Sequence, residues 1–366
     1  MAQDQYVGRW ESRLTLKGLP YRIWSREKIV PRIPDHYLRC AFFIYTSKES
    51  ALAGERFGGS GFLVGVPSTV EGWVHVYAIT NTHVLDNGFH VLRLNERDGN
   101  SDVIETKPDD WIHHPKGDDV AALALDVPGH LHWWAVSTAD FFTPQVLKDY
   151  SIGPGDEIFM VGRLVTLEGH ARNTPIVRFG NISLVPEEEL VTIDGKQCEA
   201  FLAECRSLSG FSGSPVFVTA DRNAYAPRSV QAPRTVQTLD EATGKWSIQN
   251  LARTFGPWLL GIDFAHMPLW RPVYESDKQT RTGGLVDANT GIACVVPAWK
   301  ILELLSDEEF VKQREQTDAE LRLKKNSAKE SSAVLDAETD DSGFTRADFE
   351  AALKKVSRRL EPSESD

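Results

Sequence analysis

Gly210-Phe211-Ser212-Gly213-Ser214-Pro215 is the stretch of sequence that decides the fold. It places Ser212 between Phe211 and Gly213, and a serine hydroxyl is a weak nucleophile at neutral pH unless a base lies beside it. Two earlier blocks supply a base and an anion to orient it: His83 in Ala-Ile-Thr-Asn-Thr-His-Val and Asp119 in Asp-Asp-Val-Ala-Ala-Leu. The chain therefore carries the three residue types of a nucleophilic triad in the order histidine, aspartate, serine.

The order of the three residues favours one fold among those that carry such a triad. Histidine before aspartate before serine is the order of the chymotrypsin-type double β-barrel, and the alternative turn Gly-x-Ser-x-Gly is excluded because Ser214 occupies its second glycine position. Four further blocks agree in sequence and order: Gly58–Val64, Gly155–Gly162, Leu259–Ile262 and Gly291–Pro297. With them the chain resembles the trypsin-like serine peptidases of the chymotrypsin clan, closest to the bacterial HtrA-type branch but without a PDZ module.

The resemblance covers residues 38 to 305 and implies an all-β fold of two packed six-stranded antiparallel β-barrels, with a C-terminal closing helix and a charged tail. Short β-rich runs between turn residues agree with this fold. An N-terminal extension is expected over residues 1–37, and a first barrel with His83 and Asp119 over 38–150. A second barrel with Ser212 is expected over 151–305, with a surface insertion at about 220–255, and a tail over 306–366.

The tail is expected to be largely disordered, because its charged and polar composition offers little apolar surface to bury. Thr345-Arg346-Ala347-Asp348 resembles a capping box, and the apolar residues that follow share one face of a helix over about 345–360. Such a helix either packs on its own barrel or docks a regulatory protein.

The resemblance also assigns roles to individual residues. His83 is the expected general base, and Asp119 orients it; Asp119 is preferred to Asp118 because the family's aspartate directly precedes an aliphatic residue, here Val120. The backbone N–H groups of Gly210 and Ser212 are the expected oxyanion hole.

Phe211 departs from the family pattern. In relatives activated by clipping, an aspartate at this position pairs with a newly freed amino terminus, and Phe211 cannot form that ion pair. The sequence therefore indicates a protein that needs no such clip, with its oxyanion turn ordered by packing, by substrate or by a partner.

Substrate preference is carried by loops that align only roughly with the family. Leu208, Phe264 and Ala265 are the expected wall residues of the substrate pocket, and they favour a small or medium apolar side chain before the scissile bond. Arg206 at the pocket base is the alternative, and it would favour an acidic side chain.

Composition narrows the range of partners. A net charge of -12 without clustered Lys and Arg argues against nucleic acid and against an acidic membrane surface. The first residues lack a secretory signal, which predicts a cytoplasmic protein. The four cysteines show no metal or redox spacing, and His113-His114 and His130-Leu131-His132 lack a carboxylate set at ligand spacing, so neither a metal nor another cofactor is expected.

The function that these features indicate is a serine endopeptidase acting on a protein or peptide substrate through an acyl-enzyme. Two alternatives stay open. One is a catalytically silent binding module that keeps the barrel cleft. The other is a protease that is latent until a partner docks on its tail, as in a bacterial stress or defence system.

Overall fold

The computed structural model describes ten segments of the chain: residues 33–55, 57–163, 172–186, 191–193, 196–205, 210–221, 235–240, 245–250, 254–274 and 281–339. The chain divides into a unit of residues 1–35 and a unit of residues 36–366. The site lies in the second unit, and residues 1–32 of the expected N-terminal extension lie outside the described residues.

The first lobe, residues 41–137, is an eight-stranded sheet. Seven of its strands follow the order β5-β4-β1-β2-β3-β7-β6, and β8 pairs in parallel with β2. Its strands are β1 (Ala41–Tyr45), β2 (Phe57–Pro67), β3 (Val74–Thr80), β4 (Val91–Asn95), β5 (Ser101–Glu105), β6 (Ile112–His113), β7 (Ala121–Ala124) and β8 (Val136–Ser137). Three short helices lie in or next to it: α1 (Asp35–Arg39), α2 (Lys48–Ala53) and α3 (Thr82–Asp86).

This open sheet corrects the expectation of a closed six-stranded first barrel. The two ends of the strand order are β5 and β6, and no ladder joins them within the described residues. Strand β6 has only two residues, both paired with β7, so it offers little backbone for closing the sheet.

The second lobe, residues 157–297, contains a closed barrel in the strand order β10-β13-β18-β17-β14-β9. Its barrel strands are β9 (Glu157–Gly162), β10 (Ile176–Leu184), β13 (Phe201–Glu204), β14 (Pro215–Asp221), β17 (Thr254–Tyr274) and β18 (Arg281–Pro297). Two hairpins stand apart from it: β11 (Val191–Ile193) with β12 (Lys196–Cys198), and β15 (Thr235–Asp240) with β16 (Lys245–Asn250). Helix α4 (Pro144–Tyr150) precedes the lobe.

Each lobe buries its own apolar core, which explains why its strands form where they do. Strand β1 is buried along its whole length because Phe42 and Ile44 face one cluster while Phe43 and Tyr45 face another. Side chains of successive strand residues point to opposite faces, so a strand covered on both faces is apolar throughout. The barrel core gathers Met160, Phe201, Phe211, Val216 and Leu260.

Two helices follow the barrel: α5 (Ala298–Leu305), which buries Ile301 and Leu304, and α6 (Glu308–Thr339). Helix α6 corrects the expectation of a largely disordered tail for residues 308–339. The helical segment expected at about 345–360 lies outside the described residues. No helix in the described part of the chain is long and apolar enough to cross a membrane.

Helix α6 is held by side chains spaced four residues apart, which share one helix face. Phe310 is buried with its ring 5.0 Å from that of Tyr77, and Arg314 donates to the Tyr77 hydroxyl at 2.9 Å. Asp318 accepts hydrogen bonds from the Ser68 hydroxyl, from Thr69 and from His75 Nε2. A few tertiary anchors on one face therefore hold a helix whose overall composition is polar.

Candidate active site

His83 and Asp119 form a hydrogen-bonded pair in the first lobe, where β3 ends and β7 begins. His83 lies in helix α3, which is fixed by its buried neighbours Val84 and Leu85. Asp119 accepts a hydrogen bond from the His83 backbone N–H at 3.0 Å, and its other oxygen lies 2.6 Å from His83 Nδ1. The Asn81 amide donates to the Asp119 carbonyl at 2.7 Å, which ties the aspartate loop to the start of the helix.

The pair shifts the protonation of the imidazole. Burial lowers the pKa of His83, but the hydrogen bond and charge of Asp119 outweigh it, with smaller contributions from Asp263 and Asp86, so the pKa is raised above its ordinary value. The imidazolium form is therefore stabilised, as a base that must accept a proton requires.

Asp118, the neighbouring aspartate, has different partners. Its carboxylate lies 3.0 Å from His114 Nδ1 and 3.4 Å from Lys300 Nζ on helix α5. Burial raises the pKa of Asp118, but the hydrogen bonds and charges of His114 and Lys300 outweigh burial. The pKa of Asp118 is therefore lowered overall. Asp118 thus joins the loop to helix α5, while Asp119 reaches the imidazole.

Ser212 lies in the turn of residues 210–214, directly against the first lobe: the Ser60 N–H donates to its carbonyl at 2.8 Å. A Cβ on Gly59 would stand 2.9 Å from both the Ser212 carbonyl oxygen and Val84 Cγ2, so Ser212 and the residue after His83 flank the same glycine. Within the described residues, the Ser212 hydroxyl makes no hydrogen bond, and the bond from this hydroxyl to His83 is not formed. Catalytic hydrogen bonds often tighten only when substrate binds.

Three of the five backbone N–H groups of the turn, residues 210–214, donate no hydrogen bond within the described part of the chain. The N–H groups of Gly210, Phe211 and Ser212 donate no hydrogen bond to any described residue, whereas those of Gly213 and Ser214 donate to the carbonyls of Asp263 and Phe211. Gly210 has φ +93°, which favours glycine at this position. The expected oxyanion donors, the N–H groups of Gly210 and Ser212, are two of these three.

Phe211 is fully buried in the core of the second lobe. The guanidinium carbon of Arg178 lies 4.8 Å from the centre of its ring, within the range of a cation–π contact. Packing therefore anchors the residue directly before Ser212.

Asp263 is the site residue that sequence reasoning missed. It is fully buried on β17, its N–H donates to the Ser214 carbonyl at 2.9 Å, and its carbonyl accepts from Gly213 N–H at 2.9 Å. Its charge contributes to the raised pKa of His83 and also to that of Cys205. A charged residue directly after the apolar block Leu259–Ile262 was the available signal.

Two of the three expected pocket residues can be located. Phe264 and Ala265 follow Asp263 on β17, are partly buried, and pack against the small cluster of Ala200 and Cys294. Leu208 and the alternative residue Arg206 lie outside the described residues.

Two histidines of the paired motifs, His114 and His130, have carboxylate neighbours that the sequence spacing did not reveal. His130 Nε2 lies 3.0 Å from Asp102 and 3.6 Å from Glu96, and the three could together reach one cation. His130 is half exposed and already hydrogen-bonded to Asp102, an ordinary surface arrangement, so we assign no metal to it. His114 is buried beside Asp118, as described above.

All four cysteines are free thiols: Cys40, Cys198, Cys205 and Cys294. Burial raises the pKa of the Cys205 thiol to about 11 and that of Cys294 to about 12, and the charge of Asp263 adds to both. These two thiols stay protonated at neutral pH and are poor nucleophiles.

The chain was compared with known proteins and structures. No family model and no curated protein matches it. Among solved structures, it is similar to "Crystal structure of Deg5", with 14% identity, a TM-score of 0.40, and coverage of 73% of this chain and 88% of that chain. It is also similar to "HtrA-type protease AlgW with decapeptide", with 15% identity, a TM-score of 0.39, and coverage of 74% and 65%.

This chain thus spans slightly less than two thirds of the AlgW chain. Both identities and both TM-scores are low, so we rest no functional conclusion on these similarities. The geometry around Ser212 carries the proposal that follows.

Proposed function

We propose that the chain is a serine endopeptidase of the trypsin-like class, similar to the HtrA-type branch. The observation that carries the proposal is the assembly of three parts at one place. These are the hydrogen-bonded pair His83 and Asp119, the turn that places Ser212 against the first lobe, and the N–H groups of Gly210 and Ser212, which donate no hydrogen bond within the described residues.

The proposed reaction has two halves. The Ser212 oxygen attacks the carbonyl carbon of a peptide bond while its proton passes to His83 Nε2. The tetrahedral oxyanion accepts hydrogen bonds from the N–H groups of Gly210 and Ser212. The C–N bond then breaks, His83 returns the proton to the leaving amine, and an acyl-enzyme ester remains on Ser212.

Water completes the cycle. His83 removes a proton from water as its oxygen attacks the ester, and it returns that proton to Ser212 when the carboxylic acid product leaves. Asp119 stabilises the imidazolium at both stages, since its carboxylate holds Nδ1. The chemistry needs no metal or other cofactor.

The substrate is proposed to be a protein or peptide with a small or medium apolar residue before the scissile bond, bound by Leu208, Phe264 and Ala265. The proposed location is the cytoplasm, and a regulatory protein docking on residues 345–360 is the proposed partner. Nucleic acid and membrane are not expected partners, because the net charge is -12.

Digestion of a diverse synthetic peptide mixture tests the proposal. The wild type should produce new peptide termini, identified by mass, and Ser212→Ala and His83→Ala should produce none. His90→Ala is the matched control, because His90 lies near the end of helix α3 and its ring contacts only the Gly88 carbonyl among its described hydrogen-bond partners. Cleavage that persists in Ser212→Ala would remove the serine from its role.

A latent protease is the second candidate, in which the hydrogen bond from the Ser212 hydroxyl to His83 would form only after a partner docks. In that case the full chain should be folded but inactive, and activity should appear when the partner is added. Equal cleavage by the purified wild type alone and with cell extract would count against latency.

A further inference from the structure

Ser60 of β2 contacts the nucleophile turn twice. Its N–H donates to the Ser212 carbonyl at 2.8 Å, and its hydroxyl donates to the Gly210 carbonyl at 3.0 Å. Ser60 is fully buried, and its own carbonyl accepts from the Thr80 hydroxyl at 2.9 Å. One residue of the first lobe therefore holds the two carbonyls that flank the segment from Phe211 to Ser212.

Fixing these two carbonyls restricts the direction of the oxyanion donors. The Gly210 carbonyl belongs to the peptide group after Gly210, and the Gly210 N–H belongs to the one before, so only the φ and ψ angles of Gly210 separate them. Glycine adopts many such angles at little cost. A hydrogen bond to its carbonyl removes part of this freedom, and the fixed Ser212 carbonyl does the same on the other side.

The second lobe holds the remainder of the turn. Asp263 exchanges backbone hydrogen bonds with Gly213 and Ser214, and Phe211 packs in the barrel core. No aspartate at position 211 is present to order the turn through an ion pair. The Ser60 hydroxyl supplies a neutral hydrogen bond from the opposite lobe instead.

We propose that Ser60 is a positioning residue whose hydroxyl holds the turn 210–214 with its oxyanion donors in place. This inference rests on the proposed function of Ser212 as the nucleophile. It goes further in naming the group that keeps the turn in its active form without a clipped amino terminus. Ser60 acts through the Gly210 carbonyl and touches neither substrate nor reacting atoms.

Substitution of Ser60 by alanine isolates this hydroxyl. The backbone N–H of residue 60 and its bond to Ser212 remain, and only the donor to the Gly210 carbonyl is lost. Ser214→Ala is the matched control, because it removes another fully buried hydroxyl of the same turn that makes no hydrogen bond within the described residues.

The experiment measures covalent labelling of the purified full chain by an alkyl fluorophosphonate over a range of reagent concentrations. For Ser60→Ala, we expect the maximal labelling rate to fall about tenfold, the effect of leaving one buried carbonyl unpaired, while the half-saturating concentration stays unchanged. Ser214→Ala should label like the wild type. A purely structural role would not separate the maximal rate from the half-saturating concentration in this way.

The outcomes separate the two claims. Wild type and folded Ser60→Ala labelling at equal maximal rates would overturn the role of Ser60 and leave the proposed nucleophile intact. A folded wild type that takes no label would contradict both. If Ser60→Ala does not fold, Ser60→Cys keeps a group of similar size with a weaker donor. A partial fall in the maximal labelling rate of Ser60→Cys supports the proposal. A folded Ser60→Cys that labels at the maximal rate of the wild type overturns it.

Discussion

Replacing Gly213 with alanine should destabilise the protein more than the same change at any exposed glycine of similar conformation. Gly213 has φ +88°, and an added Cβ would overlap the carbonyl oxygen of Ser60 and stand 2.9 Å from Thr80 Oγ1. Both neighbours are fully buried in the first lobe. The turn cannot move away without disturbing the bonds between Gly213, Ser214 and Asp263.

The cost has two parts. A left-handed conformation costs a non-glycine residue about 1–2 kcal/mol. Overpacking a buried site adds about 1–3 kcal/mol. Together these give about 2–5 kcal/mol of lost unfolding free energy for Gly213→Ala. Gly155→Ala is the control for the first part alone, because Gly155 has φ +100° and nothing lies within 4 Å of the position that an added Cβ would take.

Chemical denaturation followed by tryptophan fluorescence measures both variants, since the chain has 10 tryptophans. The loss for Gly213→Ala should exceed that for Gly155→Ala by about 1–3 kcal/mol, the overpacking part. Equal losses would show that contact with Ser60 contributes nothing, and the close approach of the turn to the first lobe would then be refuted.

Three further predictions concern the imidazole and helix α6. Asp119→Asn should lower the maximal labelling rate on the order of 10⁴-fold, as expected when the imidazole loses its orienting anion, with the fold retained by circular dichroism. The labelling rate of the wild type should rise with pH through a midpoint above 6.5, because the neutral form of His83 is the proposed base and the pKa of His83 is raised. A midpoint below 6.5 would contradict this prediction. Asp318→Ala should weaken protection of helix α6 against hydrogen exchange by about 3 kcal/mol, the value of hydrogen bonds to a buried charge, while exposed Glu320→Ala should not. Burial raises the pKa of Asp318, but the hydrogen bonds to its carboxylate outweigh burial, so the pKa is lowered overall. The stabilisation of helix α6 by Asp318 should therefore persist at neutral pH and be lost only as pH falls below about 4 towards this lowered pKa.

Local sequence blocks were sufficient to predict the pairing of His83 with Asp119, while the catalytic roles of His83, Asp119 and Ser212 stay a prediction. His83, Asp119 and Ser212 each lie in a short motif that specifies its own turn or helix end, and the aliphatic residue after Asp119 distinguished it from Asp118. The structure places Asp119, and not Asp118, against the imidazole. The barrel of the second lobe also follows from its spacing of short β-rich runs.

The contacts that hold the site could not be predicted, because they join distant parts of the chain. The hydroxyl of Ser60 and the carbonyl of Gly210 are 150 residues apart, and no local pattern pairs them. The charge of Asp263 after Leu259–Ile262 was visible in the sequence, but its hydrogen bonds to Gly213 and Ser214 were not.

Average composition also failed to predict helix α6. Three anchors, Phe310, Arg314 and Asp318, hold a segment that is otherwise polar, and a mean over the tail conceals their spacing. The open edge of the first lobe depends on the brevity of β6, which a count of β-rich runs does not specify.

The most direct test of the central claim is to identify the residue that a fluorophosphonate labels in the purified full chain. Peptide mass analysis should place the label on Ser212 in the wild type and find none in His83→Ala, since the hydroxyl needs the imidazole to accept its proton. Label on another residue, or equal labelling of Ser212 in His83→Ala, would contradict the account.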